Sequence, residues 1–248
     1  MKRYFYVCFL GINFFLAGCS KQSAEISFPA LNDYYPLQTG RVLVYRLDSS
    51  LIPLFGTELQ IKSYLAKDSI ADTIRDNQEL LSYRVYRFVT DTLAVEPWVP
   101  IGSYYITPAN NSVEVIDENN LRFIKLKEPV RNDFSWQGNS YIDTKSAGSL
   151  YQYLDGWNYV YQNIDQPYTV RKGILDSTIT VLQQDETSPP GPFDPNNYQQ
   201  RNYSIEVYAR GIGLVYKEFL HSTWQTTPPP AHFENDSYGI KLSLIDYR

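Results

Sequence analysis

Apolar residues in this chain recur at every second position in short segments, and no long window sustains a helical 3.6-residue period. In residues 41–48, Val42, Val44 and Arg46 alternate with Leu43, Tyr45 and Leu47. In residues 80–90, Tyr83, Val85 and Arg87 alternate with Arg84, Tyr86 and Phe88. Residues 121–126 set Leu121, Phe123 and Lys125 against Arg122, Ile124 and Leu126. Successive side chains of a strand point to opposite faces, so each segment reads as a strand with at least one covered face. Further strands are expected at residues 57–66, 98–107, 111–116, 157–164, 168–172, 175–183, 203–208, 213–219 and 238–247. The 22 tyrosines against only 13 glycines suit sheet faces carrying aromatic pairs. The expected fold is mainly β: a single antiparallel domain of roughly ten strands with a bent sheet, either a β-sandwich or a half-open barrel.

Between the strands, residues 133–139 read as a loop whose Phe134 and Trp136 plug the core. Residues 146–154 are the one stretch that could be helical. Residues 185–202 carry four prolines and read as a surface loop, as does the stretch around Pro228-Pro229-Pro230. Gly211 and Gly213 mark a bulge or tight bend.

The amino terminus has a different logic. Lys2 and Arg3 precede an apolar run, Tyr4 to Leu16, whose 13 residues are too few to span a bilayer core and fit a secretory signal. Leu16-Ala17-Gly18-Cys19 closes the run and resembles the lipobox of bacterial lipoproteins. The resemblance implies cleavage before Cys19, acylation of its thiol and a membrane partner reached through lipid alone. Domain boundaries follow: a signal peptide at 1–18, a lipidated tether at 19–33 and a β-rich body at 34–248. Ser20, rather than an aspartate, after the cysteine implies the outer membrane by the Gram-negative sorting rule. Cys8 falls in the signal and Cys19 carries the lipid, so the mature body has no disulfide and no thiolate metal site.

Tyr35-Pro36-Leu37-Gln38-Thr39-Gly40, Leu121 to Leu126, Glu206 to Glu218 and Leu242-Ser243-Leu244-Ile245-Asp246-Tyr247 resemble an uncharacterised family of Gram-negative outer-membrane lipoproteins. The likeness covers most of the mature chain. It implies the fold and the location, and it brings no activity, cofactor or catalytic residue with it.

Without Lys2 and Arg3 the 22 basic residues become 20 against 27 acidic, a net charge of −7. An acidic body with no basic block is a poor partner for nucleic acid. His221 and His232, with Glu234 and Asp236 nearby, are spaced unlike any metal motif, and lone loop histidines are normally solvated. Asp117 to Asn120 and Asp194 with Asn196 and Asn197 offer calcium-type oxygens but read as turn residues. Gly211-Ile212-Gly213 lacks the rest of a dinucleotide fingerprint, and no nucleophile elbow occurs. Asp68-Ser69-Ile70, Asp72-Thr73-Ile74, Asp91-Thr92-Leu93 and Asp176-Ser177-Thr178 resemble an O-glycosylation signal of exported proteins, a pattern short enough to recur by chance. Trp98, Trp136, Trp157 and Trp224 are the candidate ligand contacts, because aromatic faces stack on rings or line apolar grooves; as large aromatics they also suit the ends of a core. The expectation is a lipid-anchored, non-enzymatic envelope protein without cofactor or metal, binding a ligand or partner. A structural subunit of an outer-membrane complex is the alternative, and a hydrolase comes third.

Overall fold

The computed structural model describes residues 29–53, 56–75 and 79–248; the lipobox, Cys19 and the tether through residue 28 lie outside the described residues. Strands β1 (Val42–Leu51), β2 (Gln60–Arg75), β3 (Leu81–Thr90), β4 (Val99–Ala109), β5 (Ser112–Ile116) and β6 (Arg122–Lys127) form one antiparallel meander. A second meander runs through β7 (Ser135–Trp136), β8 (Tyr159–Val170), β9 (Gly173–Ser188), β10 (Gln199–Ala209) and β11 (Gly213–Gln225). β13 (Tyr238–Tyr247) pairs with both β1 and β11 and fuses the two, while the short β12 (His232–Phe233) hangs on β11. The product is one mainly β, antiparallel sheet of 13 strands, bent until its ends meet.

The meeting of those ends is a seam of specific bonds. Ile124 N–H on β6 donates to the Gly138 carbonyl just after β7 at 2.6 Å, and the Trp136 indole N–H donates to the Ile124 carbonyl at 2.8 Å. The Tyr161 hydroxyl on β8 reaches over to Lys127, accepting from its N–H at 2.8 Å and donating to its carbonyl at 2.9 Å. Phe134, Trp136, Tyr159 and Tyr161 pack ring on ring beneath the seam, with the Trp136 and Tyr161 centroids 4.7 Å apart. An edge strand that pairs with its own sheet leaves few free N–H and C=O groups, so closure removes much of the edge liability of an open sheet.

Several elements run longer than their sequence pattern suggests. β9 continues to Ser188 and β10 begins at Gln199, so the expected 185–202 loop shrinks to residues 189–198. Its polar residues still pair, Arg201 opposite Thr187 and Asn202 opposite Glu186, because ladder bonds need only backbone. The two expected strands at 157–164 and 168–172 are one strand, β8, whose register with β9 slips between Gln162 and Gln166. Asn163 (φ 51°) and Asp165 (φ 54°) hold left-handed conformations there, a region that Asn and Asp tolerate better than most side chains. Asp165 Oδ1 anchors this bulge by accepting from the Tyr34 hydroxyl at 2.6 Å and the Ser177 hydroxyl at 2.6 Å. The expected helix at 146–154 reduces to a single 3₁₀ turn, Gln152–Leu154. Leu31–Tyr34 forms one helical turn with Leu31 and Tyr34 buried, so the folded body takes in the last residues of the expected tether.

The bulge bends the β8–β9 hairpin over the outer face of the sheet. There Tyr168, Val170 and Leu175 pack against the cluster that holds Val207 and Val215, with the Tyr168 and Tyr216 ring centroids 5.9 Å apart. The wall formed by β10 and β11 is therefore covered outside as well as inside.

Gly138 makes the seam possible: a Cβ there would lie 2.1 Å from the Tyr159 ring. Gly138→Ala should therefore cost about 2 kcal/mol through overpacking, measured by urea unfolding. An unchanged midpoint would show that the seam does not need this close approach.

Candidate functional site

Closure leaves an interior cavity of about 170 Å³ at one end of the barrel. Its wall draws side chains from β3, β4, β5, β6, β8, β9, β10, β11 and β13. β10 alternates, so Ser204, Glu206 and Tyr208 face inward while Ile205, Val207 and Ala209 face out. β11 adds Lys217 and Phe219, β13 adds Ile240 and Leu242, and β6 adds Phe123 and Lys125. The rim is formed by the β5–β6 turn with Asp117, Glu118 and Leu121, by the segment Tyr151, Tyr153 and Trp157, and by Tyr238.

The centre of the wall is Glu206, 1% exposed. Lys125 reaches it across the lumen, with Nζ 2.8 Å from Oε1, and the Tyr208 hydroxyl donates to Oε2 at 2.6 Å. Lys217 sits opposite Glu206 in the β10–β11 register, yet its Nζ is 3.8 Å from Oε1, beyond hydrogen-bond reach. Burial would raise the Glu206 pKa, but the two ammonium groups and the Tyr208 hydroxyl outweigh it and hold the carboxyl below its ordinary range. Burial, then repulsion from Lys125, pulls the Lys217 ammonium below the usual lysine range.

A second buried pair stands beside the first. Asp68 faces Arg87 in the β2–β3 register, and Arg87 Nε and Nη2 donate to its two carboxylate oxygens at 2.7 and 2.6 Å. Tyr104 hydroxyl completes the set at 2.9 Å. Against the burial that opposes it, the Asp68 charge keeps Arg87 firmly protonated.

Gln183 on β9 is 2% exposed; its Oε1 accepts from the Ser204 hydroxyl at 2.7 Å, while its Nε2 donates to no protein group. An unsatisfied buried amide is uncommon in a native protein and calls for a partner. At the rim, Asp117 Oδ1 accepts from the N–H groups of Asn119 and Leu121, so this acid shapes its own turn. Tyr153 stacks on buried His221 with centroids 4.0 Å apart and shares a 3.2 Å hydroxyl contact with Tyr238.

Of the four candidate tryptophans only Trp157, 1% exposed, lines the cavity, its indole N–H held by the Tyr153 carbonyl at 2.8 Å. Trp136 is buried under the seam. Trp224 is buried against Phe193 and Phe233, its N–H on the Pro195 carbonyl. Trp98 is half-buried on the outside beneath the Lys67 ammonium. His221 is a buried β11 residue rather than a solvated loop histidine; its Nδ1 lies 2.7 Å from Asn202 Oδ1, and Asp236 sits 3.6 Å from Nε2. Among the described residues no cluster of His, Cys, Asp and Glu could hold a metal ion. Three of the four aspartates in the expected glycosylation triplets have partners of their own: Asp68 binds Arg87, Asp72 binds Arg84, and Asp91 accepts from the backbone of its own turn.

Comparison with family models, with curated proteins and with solved structures returned no match to this chain.

The sequence pattern assigns Glu206, Lys217, Gln183 and Arg87 no site role, and it marks Asp68 only through the short Asp68-Ser69-Ile70 triplet. A polar face alternating with an apolar one reads as a solvated face, and here it is the lumen.

Arg87→Met would strand the buried Asp68 carboxylate and should cost about 3–5 kcal/mol in chemical unfolding, with much of the loss recovered in Asp68→Leu/Arg87→Met. Recovery failing in the double variant would show that the pair's shape, not its charge, matters. Burial holds His221 below the ordinary imidazole value of 6.5, against the pull of the exposed Asp236. The unfolded chain therefore binds the extra proton first, so this contribution is complete above pH 6.5 and drains away as pH falls. Between pH 7.5 and 5.5 Tm should fall more steeply for the wild type than for His221→Gln; equal slopes would contradict it.

Proposed function

We propose that the chain is a lipid-anchored envelope protein that binds a small organic ligand inside its barrel. On this reading Cys19 carries the acyl anchor at the outer membrane, and the domain beyond the tether is a receptacle. The observation that carries it is the Gln183 amide, buried in an aromatic-walled cavity with an N–H group that no protein acceptor meets. Ligand sites are commonly concave, largely apolar, and furnished with a few convergent polar groups. The wall of Phe123, Trp157, Tyr159 and Phe219 around Lys217 and Gln183 fits that description.

Two features favour binding over the other readings. A general acid or base works best with a pKa near the operating pH, whereas Glu206 is pushed the other way and locked between cations. Assembly through free strand edges is less favoured because β6 and the chain just after β7 are bonded to each other at the seam.

Native mass spectrometry of the full-length protein, extracted from its own envelope in mild detergent, tests the reading. The expected spectrum shows the acylated chain plus a further releasable mass of a few hundred daltons. Ser204→Trp, which fills the cavity, should lose that mass. A bare acylated chain in both samples would overturn it.

A further inference from the structure

The outer face of the sheet carries a second concave surface, separate from the cavity. The bulge in β8 bends the hairpin over this face, and beside it lies an open groove of about 720 Å³. One row of register partners crosses the groove: Gln162 faces Thr180, Thr180 faces Val207, and Val207 faces Tyr216. Four strands about 4.8 Å apart make that row about 14 Å long. Ile205 and Tyr203 extend the same face along β10 by the period of two. Where the β8 register slips, Asn163 and Gln166 stand exposed at the edge, and the Thr178 hydroxyl ties the bulge to β9 by donating to the Gln166 carbonyl at 2.7 Å.

The chemistry of this lining is specific. Gln162, Asn163 and Gln166 supply carboxamides, each able to donate and to accept. The Gln166 amide N–H reaches back only to the Ile164 carbonyl at 3.5 Å, too long for a strong bond. Beside the amides stand three half-buried tyrosines. Tyr168 and Tyr216 meet with centroids 5.9 Å apart and planes at 48°, while the Arg201 guanidinium over the Tyr203 ring at 5.0 Å steadies it. Among the described residues the one charged side chain on the lining is Lys241, which lies over the Tyr216 ring at 5.5 Å with Glu218 Oε2 3.8 Å away.

We propose that this groove binds a neutral oligosaccharide. A sugar ring presents an apolar C–H face bordered by hydroxyls that both donate and accept. Partly buried tyrosine rings suit the face, and uncharged carboxamides suit the hydroxyls. An acidic glycan is disfavoured, because the cation it would need already has Glu218 beside it on an acidic body. An extended peptide is disfavoured by the backbone: β9, β10 and β11 are each paired on both sides, so the floor offers no free ladder edge. Val207 and Tyr216 face the groove, while Glu206 and Lys217, their neighbours in sequence, face the barrel interior. Binding here therefore does not require an occupied cavity.

Isothermal titration of the full-length acylated protein in micelles of lauryldimethylamine oxide, a detergent without a sugar head group, tests this. The probes are maltohexaose, cellohexaose, mannohexaose and xylohexaose, with hexagalacturonate as the acidic counterpart. At least one neutral sugar should bind, roughly ten-fold or more tightly than hexagalacturonate. For that sugar Tyr203→Ala should lose roughly ten-fold in affinity, and Tyr203→Phe, which keeps the ring, should retain most of it. Asn163→Gly, which suits the left-handed backbone at that position, should weaken binding several-fold. Trp98→Ala, an aromatic outside the groove, should leave the affinity unchanged. No binding of any neutral sugar, or hexagalacturonate binding as tightly as the best of them, would overturn the assignment without recourse to a variant. Wild-type affinity in Tyr203→Ala or in Asn163→Gly would overturn it too, as would a loss in Trp98→Ala equal to that in Tyr203→Ala.

Discussion

Everything in this molecule depends on closing a sheet that is too wide to be filled by ordinary side chains. A barrel of about eight strands has an interior that its own residues just fill, and width grows with strand number. Here the path from β6 round to β7 counts twelve strands. Such a circuit would enclose a void unless flattened, plugged or lined with large residues. The chain uses two of these devices. Tyrosine and tryptophan dominate the largest buried side chains, and the long connection between β7 and β8 folds inward with Trp157 and Leu154. The remaining gap is the cavity.

Filling an interior with tyrosine has an electrostatic consequence. Each hydroxyl carried inside needs a partner, and a carboxylate is the strongest acceptor available. Tyr104 uses Asp68 and Tyr208 uses Glu206, and these carboxylates in turn require Arg87 and Lys125. The polar lumen is thus a chain of satisfied obligations that starts from ring size. Ion pairs of this kind add little net stability over apolar packing, because desolvation offsets much of the attraction. They do fix geometry. The Gln183 Nε2 group falls outside this accounting, which is why it stands out against it.

The alternation in residues 41–48, 80–90 and 121–126 was enough to read the β class and the antiparallel, bent sheet, since period two survives in any register. Strand ends were less legible. Ladder bonds are made by backbone, so Gln199, Gln200 and Arg201 pair as well as any valine while their side chains look like loop. The β8 bulge misled for the same reason in reverse: Asp165-Gln166-Pro167 has turn chemistry and is used as a kink within one strand. The site was hidden because a one-dimensional pattern distinguishes two faces but does not say which is wet. On β10 the apolar face, Ile205, Val207 and Ala209, lies under the β8–β9 hairpin, and the polar face looks into the barrel. Of the tryptophans, only Trp157 could be tied to the cavity, and only by the path of the chain before β8.

The double covering of that wall also bears on how the donors are held. Loops position side chains loosely, whereas strands packed on both faces allow little rotation or shift. Val207 and Val215 on β10 and β11 are buried in the cluster that Tyr168 and Val170 pack against, and the outer hairpin is itself tied down by the Lys172–Asp246 pair at its tip. Glu206 and Lys217 are therefore carried on backbone that is buttressed from behind. The rim is built differently, from a turn held by Asp117 and a short 3₁₀ segment whose Tyr153 leans on His221. On the ligand-binding proposal, a firm floor beneath a lighter rim would let a ligand enter without disturbing the groups that receive it.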